Sequence, residues 1–155
     1  MGLSTMGERL LRQHRDDGVA AAKAVWKAAK LKGRDVQVTF VLDAEMRALN
    51  RRWRKKDRPT DVLSFSADEG EFVIGDDRFL GDLVISVETA ARQARACGHS
   101  LVVEVGVLVC HGLCHLQGLD HERGADEAER QLMVEMCLLD AAGLPVTAAL
   151  AGRGG

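Results

Sequence analysis

The stretch SLVVEVGVLVCHGLCHLQGLDH, residues 100–121, decides how this chain is read. Ser100 to Leu116 is its most apolar part, and Val102, Val103, Val105, Val107 and Val109 would also suit a buried strand. Length settles the matter for a helix, because seventeen residues is long for a strand and ordinary for a helix. On that helix His111 and His115 stand four residues apart, an advance of about 400°, so their rings lie roughly 40° apart and one turn along. Two imidazoles so placed can reach one metal ion. Gly118 can take the left-handed conformation and end the helix, which would turn His121 back toward the first two. Three neutral imidazoles leave coordination positions open, the pattern of a catalytic zinc rather than a structural one. Three of the chain's five histidines fall within these eleven residues; His14 and His99 sit in polar settings and are expected to be exposed.

Outward from that helix, the chain reads as mixed secondary structure. Residues 1–32 are helical in pattern, with a break expected near Asp17-Gly18 and a stop at Gly33. Val36, Val38 and Phe40 alternate with polar residues as in a half-buried strand. Asp43 is expected to cap a helix running to about Lys55, with Pro59 ending that region. Short strands are expected at Val62–Phe65, Glu71–Ile74 and Asp82–Ser86, followed by a helix capped by Ser86 and closed by Gly98. A last helix spans about Asp126 to Ala141, with Leu132, Met133, Met136 and Cys137 as its apolar stripe. The sum is α+β, with one small mixed sheet and helices around a central, zincin-like HxxxH helix. One domain is expected over residues 1–145, with a flexible tail over 146–155.

The 155 residues carry 21 basic and 23 acidic side chains, a net charge of −2, which excludes a generic basic coat for nucleic acid. The charge is uneven. RRWRKKDR, residues 51–58, holds Arg51, Arg52, Arg54, Lys55, Lys56 and Arg58 against Asp57, a local +5 that leaves −7 for the remainder. Without further context such a run is as often a solvated helix face as a binding surface. The four cysteines form no C-x-x-C pair, so neither a zinc ribbon nor a dithiol redox site is indicated. No apolar run approaches a membrane span and no secretory apolar region opens the chain, so a cytoplasmic location is expected.

The histidine spacing also matches the H-E-x-x-H-x-x-G-x-x-H of metzincin peptidases, but Gly112 stands where those enzymes carry their glutamate base. HGLCHLQGLDH instead resembles the H-G-x-L-H-L-x-G-x-D-H signature of the bacterial YbeY family, metal-dependent endoribonucleases of ribosomal RNA maturation. ALNRRWRKKDRPTDVLSF, residues 48–65, and LGDLVIS, residues 80–86, resemble two further blocks of that family, in the same order. The resemblance spans about residues 35–144. Cys114 departs from the usual apolar residue and, pointing off the metal face, reads as a small buried hydrophobe beside Cys110. The family's N-terminal strand is not legible here, since the first residues look helical.

The resemblance implies His111, His115 and His121 as ligands of one zinc ion per chain. It places Arg54 and His115 in the catalytic machinery, the guanidinium stabilising charge on a phosphate. Asp120 could orient a ligand imidazole. Arg51, Arg52, Arg54, Lys55, Lys56 and Arg58 become candidates for guiding an RNA backbone, and Trp53 for stacking on a base or packing inward. Glu104 reads as a further acid of the histidine helix or a buried ion-pair partner; Asp61 and Asp82 read as structural. The implied activity is single-strand-specific cleavage near the 3′ end of small-subunit ribosomal RNA, by hydrolysis or transesterification with a zinc-activated nucleophile, linked to ribosome quality control. The implied partners are the small-subunit precursor and ribosome-associated proteins, with no membrane. Two other readings stay open: an RNA-binding assembly factor with a structural metal, and a zincin-type metallohydrolase of another substrate.

Overall fold

A computed structural model describes residues 2–31, 34–67, 79–118 and 124–150. In chain order the elements are α1 (Gly2–Ala29), β1 (Asp35–Val41), α2 (Asp43–Arg54), β2 (Val62–Ser66), β3 (Phe79–Ser86), α3 (Val87–Cys97), α4 (Leu101–Leu116), α5 (Ala125–Ala141) and a 3-10 turn (Val146–Leu150). The architecture is α+β, with the strands in the order β1-β3-β2. β1 runs parallel to β3, with Val38 opposite Leu83, and β2 runs antiparallel to it, with Leu63 opposite Val84. The strand expected at Glu71–Ile74 lies outside the described residues.

Because β3 is central, both of its faces are covered, and it is buried along nearly its whole length rather than at alternate residues. Leu83 and Ile85 face α1, α3 and α4, where Ala21, Val25, Ala90, Val105, Leu108, Val109 and Leu113 make the main core. Val84 faces the other way, into a smaller cluster with Val41, Leu63 and Met46 of α2. α4 is buried on nearly all sides from Glu104 to Cys114, as a helix apolar all round must be. Ser100 caps it, accepting a hydrogen bond from the Val103 amide, and Ser86 caps α3 in the same way through Thr89. No single helix among the described residues is long and apolar enough to cross a membrane; α3 and α4 meet those limits only together, across a 112° bend.

Four expectations are corrected. α1 is unbroken at Asp17-Gly18. Gly18 is a packing glycine: a Cβ there would stand 2.9 Å from the Phe40 ring, on the face that carries Ala21 and Val25 inward. Asp43 does not cap α2, whose cap position is Leu42. Its carboxylate instead accepts from Ser86 Oγ and Thr89 Oγ1, each at 2.6 Å, and from Arg92 at 2.7 Å, tying α2 to α3. The buried face of α5 is Gln131, Glu135 and Leu139, whereas Met133 is 60% exposed and Cys137 lies at the surface. Two polar residues take the inward face because they have partners across it, described below. Residues 146–150 are not a loose tail, since they form the 3-10 turn and bury Ala148 in the main core. The rest of that tail lies outside the described residues.

Candidate metal centre and basic face

The last two turns of α4 carry His111 and His115. Their Nε2 atoms stand 3.1 Å apart, with ring centroids 4.6 Å apart and planes inclined at 56°. Two nitrogens bound to one tetrahedral zinc at about 2.05 Å would lie about 3.3 Å apart. The pair therefore already has the spacing of two ligands of one ion, as the four-residue repeat implied.

Behind the pair stands α5. Glu135 Oε1 lies 2.8 Å from His111 Nδ1, and Gln131 Nε2 lies 2.9 Å from the same ring nitrogen. The Gln131 amide also donates to Glu135 Oε1 at 3.1 Å. Glu135 is 6% exposed and Gln131 is 2% exposed. An ionised carboxylate accepts only, so the Glu135 bond forms when His111 Nδ1 carries the proton and donates it, and Gln131 Nε2 then donates to Glu135 rather than to the ring. That tautomer leaves the Nε2 lone pair pointing toward His115, ready for a cation. Gln131 Oε1 is buried without a partner among the described residues, so polar capacity remains in this pocket. These donors fit a divalent ion of zinc type. Sequence reasoning missed Glu135 and Gln131; the signal was two polar residues at i and i+4 on a helix whose other inward position is Leu139.

His121 and Asp120 lie outside the described residues. Gly118 does take the left-handed region, at φ 93°, as the turn off α4 requires. Gly112 has a reason of its own. A Cβ there would stand 2.5 Å from Leu83 Cδ2, so Leu83 would have to shift to admit a side chain. Cys110 and Cys114 are free and buried, as expected of small hydrophobes; burial pushes the Cys114 thiol up to about 12 and the Cys110 thiol higher still.

Glu104 is fully buried at the opposite end of α4, where its Oε1 lies 2.6 Å from His99 Nε2. Glu104 is thus a buried partner of His99, which corrects the expectation that His99 is exposed: its side chain is 14% exposed. His14 is likewise only partly exposed. Cys97, His99 and Glu104 form a group of three donors whose ligand atoms lie within 4.8 Å of one another.

The basic run begins in the last turn of α2, where positive charge also suits the helix dipole. Arg51, Arg52, Lys55, Lys56 and Arg58 are exposed, while Trp53 and Arg54 are half-buried. Arg54 donates to the Ser64 carbonyl of β2 at 2.8 Å and lies 4.9 Å over the Phe65 ring. Trp53 meets Phe65 edge-on at 6.1 Å, and Arg52 lies over the indole at 4.9 Å. Lys55 closes α2 in a left-handed conformation, φ 59°, and buried Asn50 holds the Arg58 carbonyl at 2.9 Å, which folds the run back on itself. Ser64 pairs with Leu83, and Leu83 is the residue against Gly112, so Arg54 is anchored one strand away from the histidine turn of α4. Asp61 accepts from the Val62 amide and the Thr60 hydroxyl, a structural role. Asp82 lies within β3, opposite Phe65, and burial raises its pKa.

The fold and site define an α+β chain whose buried central helix ends in an HxxxH pair, with a basic helix end packed on the other face of the same sheet. The family model described as endoribonuclease YbeY matches residues 10–140. The chain therefore belongs to the YbeY family. Curated relatives named endoribonuclease YbeY include one from Aquifex aeolicus, 49% identical over 109 residues, covering 70% of this chain and 71% of that one. Another, from Geobacillus kaustophilus, is 48% identical over 109 residues, covering 66% and 69%. A third, from Anaeromyxobacter dehalogenans, is 42% identical over 151 residues, covering 94% and 76%. A Thermotoga maritima protein solved in solution is 23% identical, with 96% of this chain and 93% of that one covered and a TM-score of 0.45.

Proposed function

We propose that this protein is a zinc-dependent endoribonuclease that cleaves single-stranded RNA near the 3′ end of precursor small-subunit ribosomal RNA. In this reading it works in the cytoplasm on ribosomal particles and their associated proteins, and takes part in ribosome quality control. The observation that carries the reading is the His111–His115 pair, 3.1 Å apart at Nε2 and braced by buried Glu135, in a chain of an endoribonuclease family.

His111, His115 and His121 would hold one ion. When bound, it supplies Lewis-acid stabilisation of phosphate charge and lowers the pKa of water. The chain's own residues do the rest. Glu135 fixes the His111 tautomer and keeps its Nε2 facing the site. Asp120 would orient a neighbouring imidazole. Arg54, anchored on Ser64, presents a planar fork that matches phosphate oxygens and offsets charge developing there. Arg51, Arg52, Lys55, Lys56 and Arg58 attract the backbone in a salt-dependent way, while the acidic remainder of the chain disfavours indiscriminate binding. Trp53 offers its free edge to a base. Gly112 has no side chain to accept a proton, so the peptidase alternative lacks its base.

The test compares wild type, His115→Ala and Arg54→Ala on a single-stranded ribosomal RNA fragment, with metal stripped and then restored. Cleavage is expected to vanish on chelation, return with zinc, and fall sharply in both variants. Cleavage that survives chelation or persists in His115→Ala overturns the reading. Binding to ribosomal particles with no cleavage under any condition would favour an assembly factor instead.

A further inference from the structure

The second donor group lies at the corner between α3 and α4, at the far end of the helix that carries His111 and His115. Cys97 is the last residue of α3, and Gly98 follows in the left-handed region at φ 74°. The Gly98 amide donates to Ala94 and Arg95 carbonyls, and the His99 amide donates to the Ala94 carbonyl at 3.1 Å. This closed turn fixes His99 directly beyond Cys97. Ser100 then caps α4, and Glu104 enters from its first turn, fully buried, with Oε1 2.6 Å from His99 Nε2. Thiol, imidazole and carboxylate thus converge from two helices and the turn between them, with every ligand atom within 4.8 Å of the others.

We propose that Cys97, His99 and Glu104 form a second divalent-cation site, of zinc type, that staples the end of α3 to the start of α4. The donor set is one that zinc accepts and that magnesium or calcium does not favour, because it includes sulfur and nitrogen. A thiolate, a neutral imidazole and a carboxylate balance a doubly charged ion, so the buried Glu104 charge is neutralised where it stands. Zinc ligands of these types would sit about 3.3 Å apart for nitrogen and oxygen and about 3.5 Å apart for pairs with sulfur. The 2.6 Å pair would open by about 0.7 Å and the widest permitted spacing close by about 1.3 Å, within reach of side-chain torsions. Binding releases the Cys97 thiol proton to solvent, to which Cys97 is exposed, and the proton between His99 Nε2 and Glu104 Oε1 passes to His99 Nδ1 so that Nε2 is free to bind. Cys110 and Cys114 cannot substitute, since both are buried in the core.

The test uses cobalt as probe and zinc for stoichiometry, on fully reduced, metal-stripped protein. Wild type is expected to develop the near-ultraviolet sulfur-to-cobalt charge-transfer band, and Cys97→Ser to lose it. Cys97→Ser is also expected to bind one zinc equivalent fewer than wild type and to lose the rise in melting temperature that the extra equivalent brings. The substitution is conservative and at the surface, so the fold is retained. A His111→Ala/His115→Ala variant should keep the band, which separates this site from the histidine pair: failure of the nuclease reading leaves the band in place. Absence of the band in wild type, its survival in Cys97→Ser, or equal zinc stoichiometry in those two chains overturns the proposal.

Discussion

Glu135→Gln isolates the contribution of α5 to the histidine pair. The substitution keeps the size of a side chain that is 6% exposed and exchanges a carboxylate for an amide. In the native arrangement Oε1 accepts from His111 Nδ1 at 2.8 Å and from the Gln131 amide at 3.1 Å. An amide in that place keeps an acceptor but loses the charge, which roughly halves the strength of the bond to the imidazole and lowers the basicity of Nε2. Losing such a partner typically costs 10–100-fold in metal affinity, or about 1.4–2.7 kcal/mol. Zinc affinity measured by competition with a chelator should fall by that factor. The melting temperature of the metal-free protein should change little. Glu135→Leu should behave differently, because it removes the acceptor that His111 Nδ1 and the buried Gln131 amide share, at about 1.5–3 kcal/mol. In a chain of this size that is a fall of roughly 3–12 °C in the metal-free melt. If Glu135→Gln binds zinc as tightly as wild type, the carboxylate does not tune His111 and the account of α5 is wrong.

The other predictions concern the frame around the site. Gly112→Ala should destabilise by about 1–2 kcal/mol in urea unfolding, since the clash with Leu83 Cδ2 at 2.5 Å outweighs the gain in helix propensity of about 1 kcal/mol; an unchanged or raised midpoint would show that Leu83 simply yields. Asp43→Ala should cost about 2 kcal/mol at pH 7, because the Ser86 hydroxyl is fully buried and loses its acceptor. Burial pushes the Asp43 carboxyl up, but hydrogen bonds from Ser86, Thr89 and Arg92 outweigh it and hold the pKa below 3.8. Its charge-dependent contribution is therefore complete above that value and is lost as pH falls through the folded-state pKa; a variant effect equal at pH 7 and pH 2 would refute this. Asp82 has the opposite sign. Burial raises its pKa above 3.8, so stability is lost as pH rises through the folded-state value, and Asp82→Asn should raise the melting temperature at pH 7 and do nothing below pH 3.8.

Local signals were the ones that could be read in advance. Ser86, Ser100 and Gly98 announce helix ends because a cap is satisfied by residues three or four away. The four-residue histidine repeat is legible for the same reason. What escaped the sequence was set by distant partners. Gln131 and Glu135 look like solvent-facing positions until His111, twenty and twenty-four residues earlier, is placed against them. Gly112 looks like a lost base, and only the approach of Leu83 shows why a glycine stands there. Gly18 looks like a helix break until Phe40 is laid across it, and Asp43 looks like a cap until Ser86 and Thr89 take its oxygens.

The strand order carries a consequence for how the chain is made. β3 lies between β1 and β2, which do not pair with each other, so among the described residues neither earlier strand has its partner until residue 86 has been synthesised. A nascent chain shorter than that has, among its described residues, two helices and two unmatched strands, whose apolar faces wait for a third. Once β3 emerges, the sheet can close from both sides at once, and α3 and then the helix bearing the histidines arrive on its face. The histidine turn is thus delivered to a surface already formed. Stalling translation before residue 79 would leave a species exposed to proteases and aggregation, whereas stalling after α4 would leave one that can already bury most of its core.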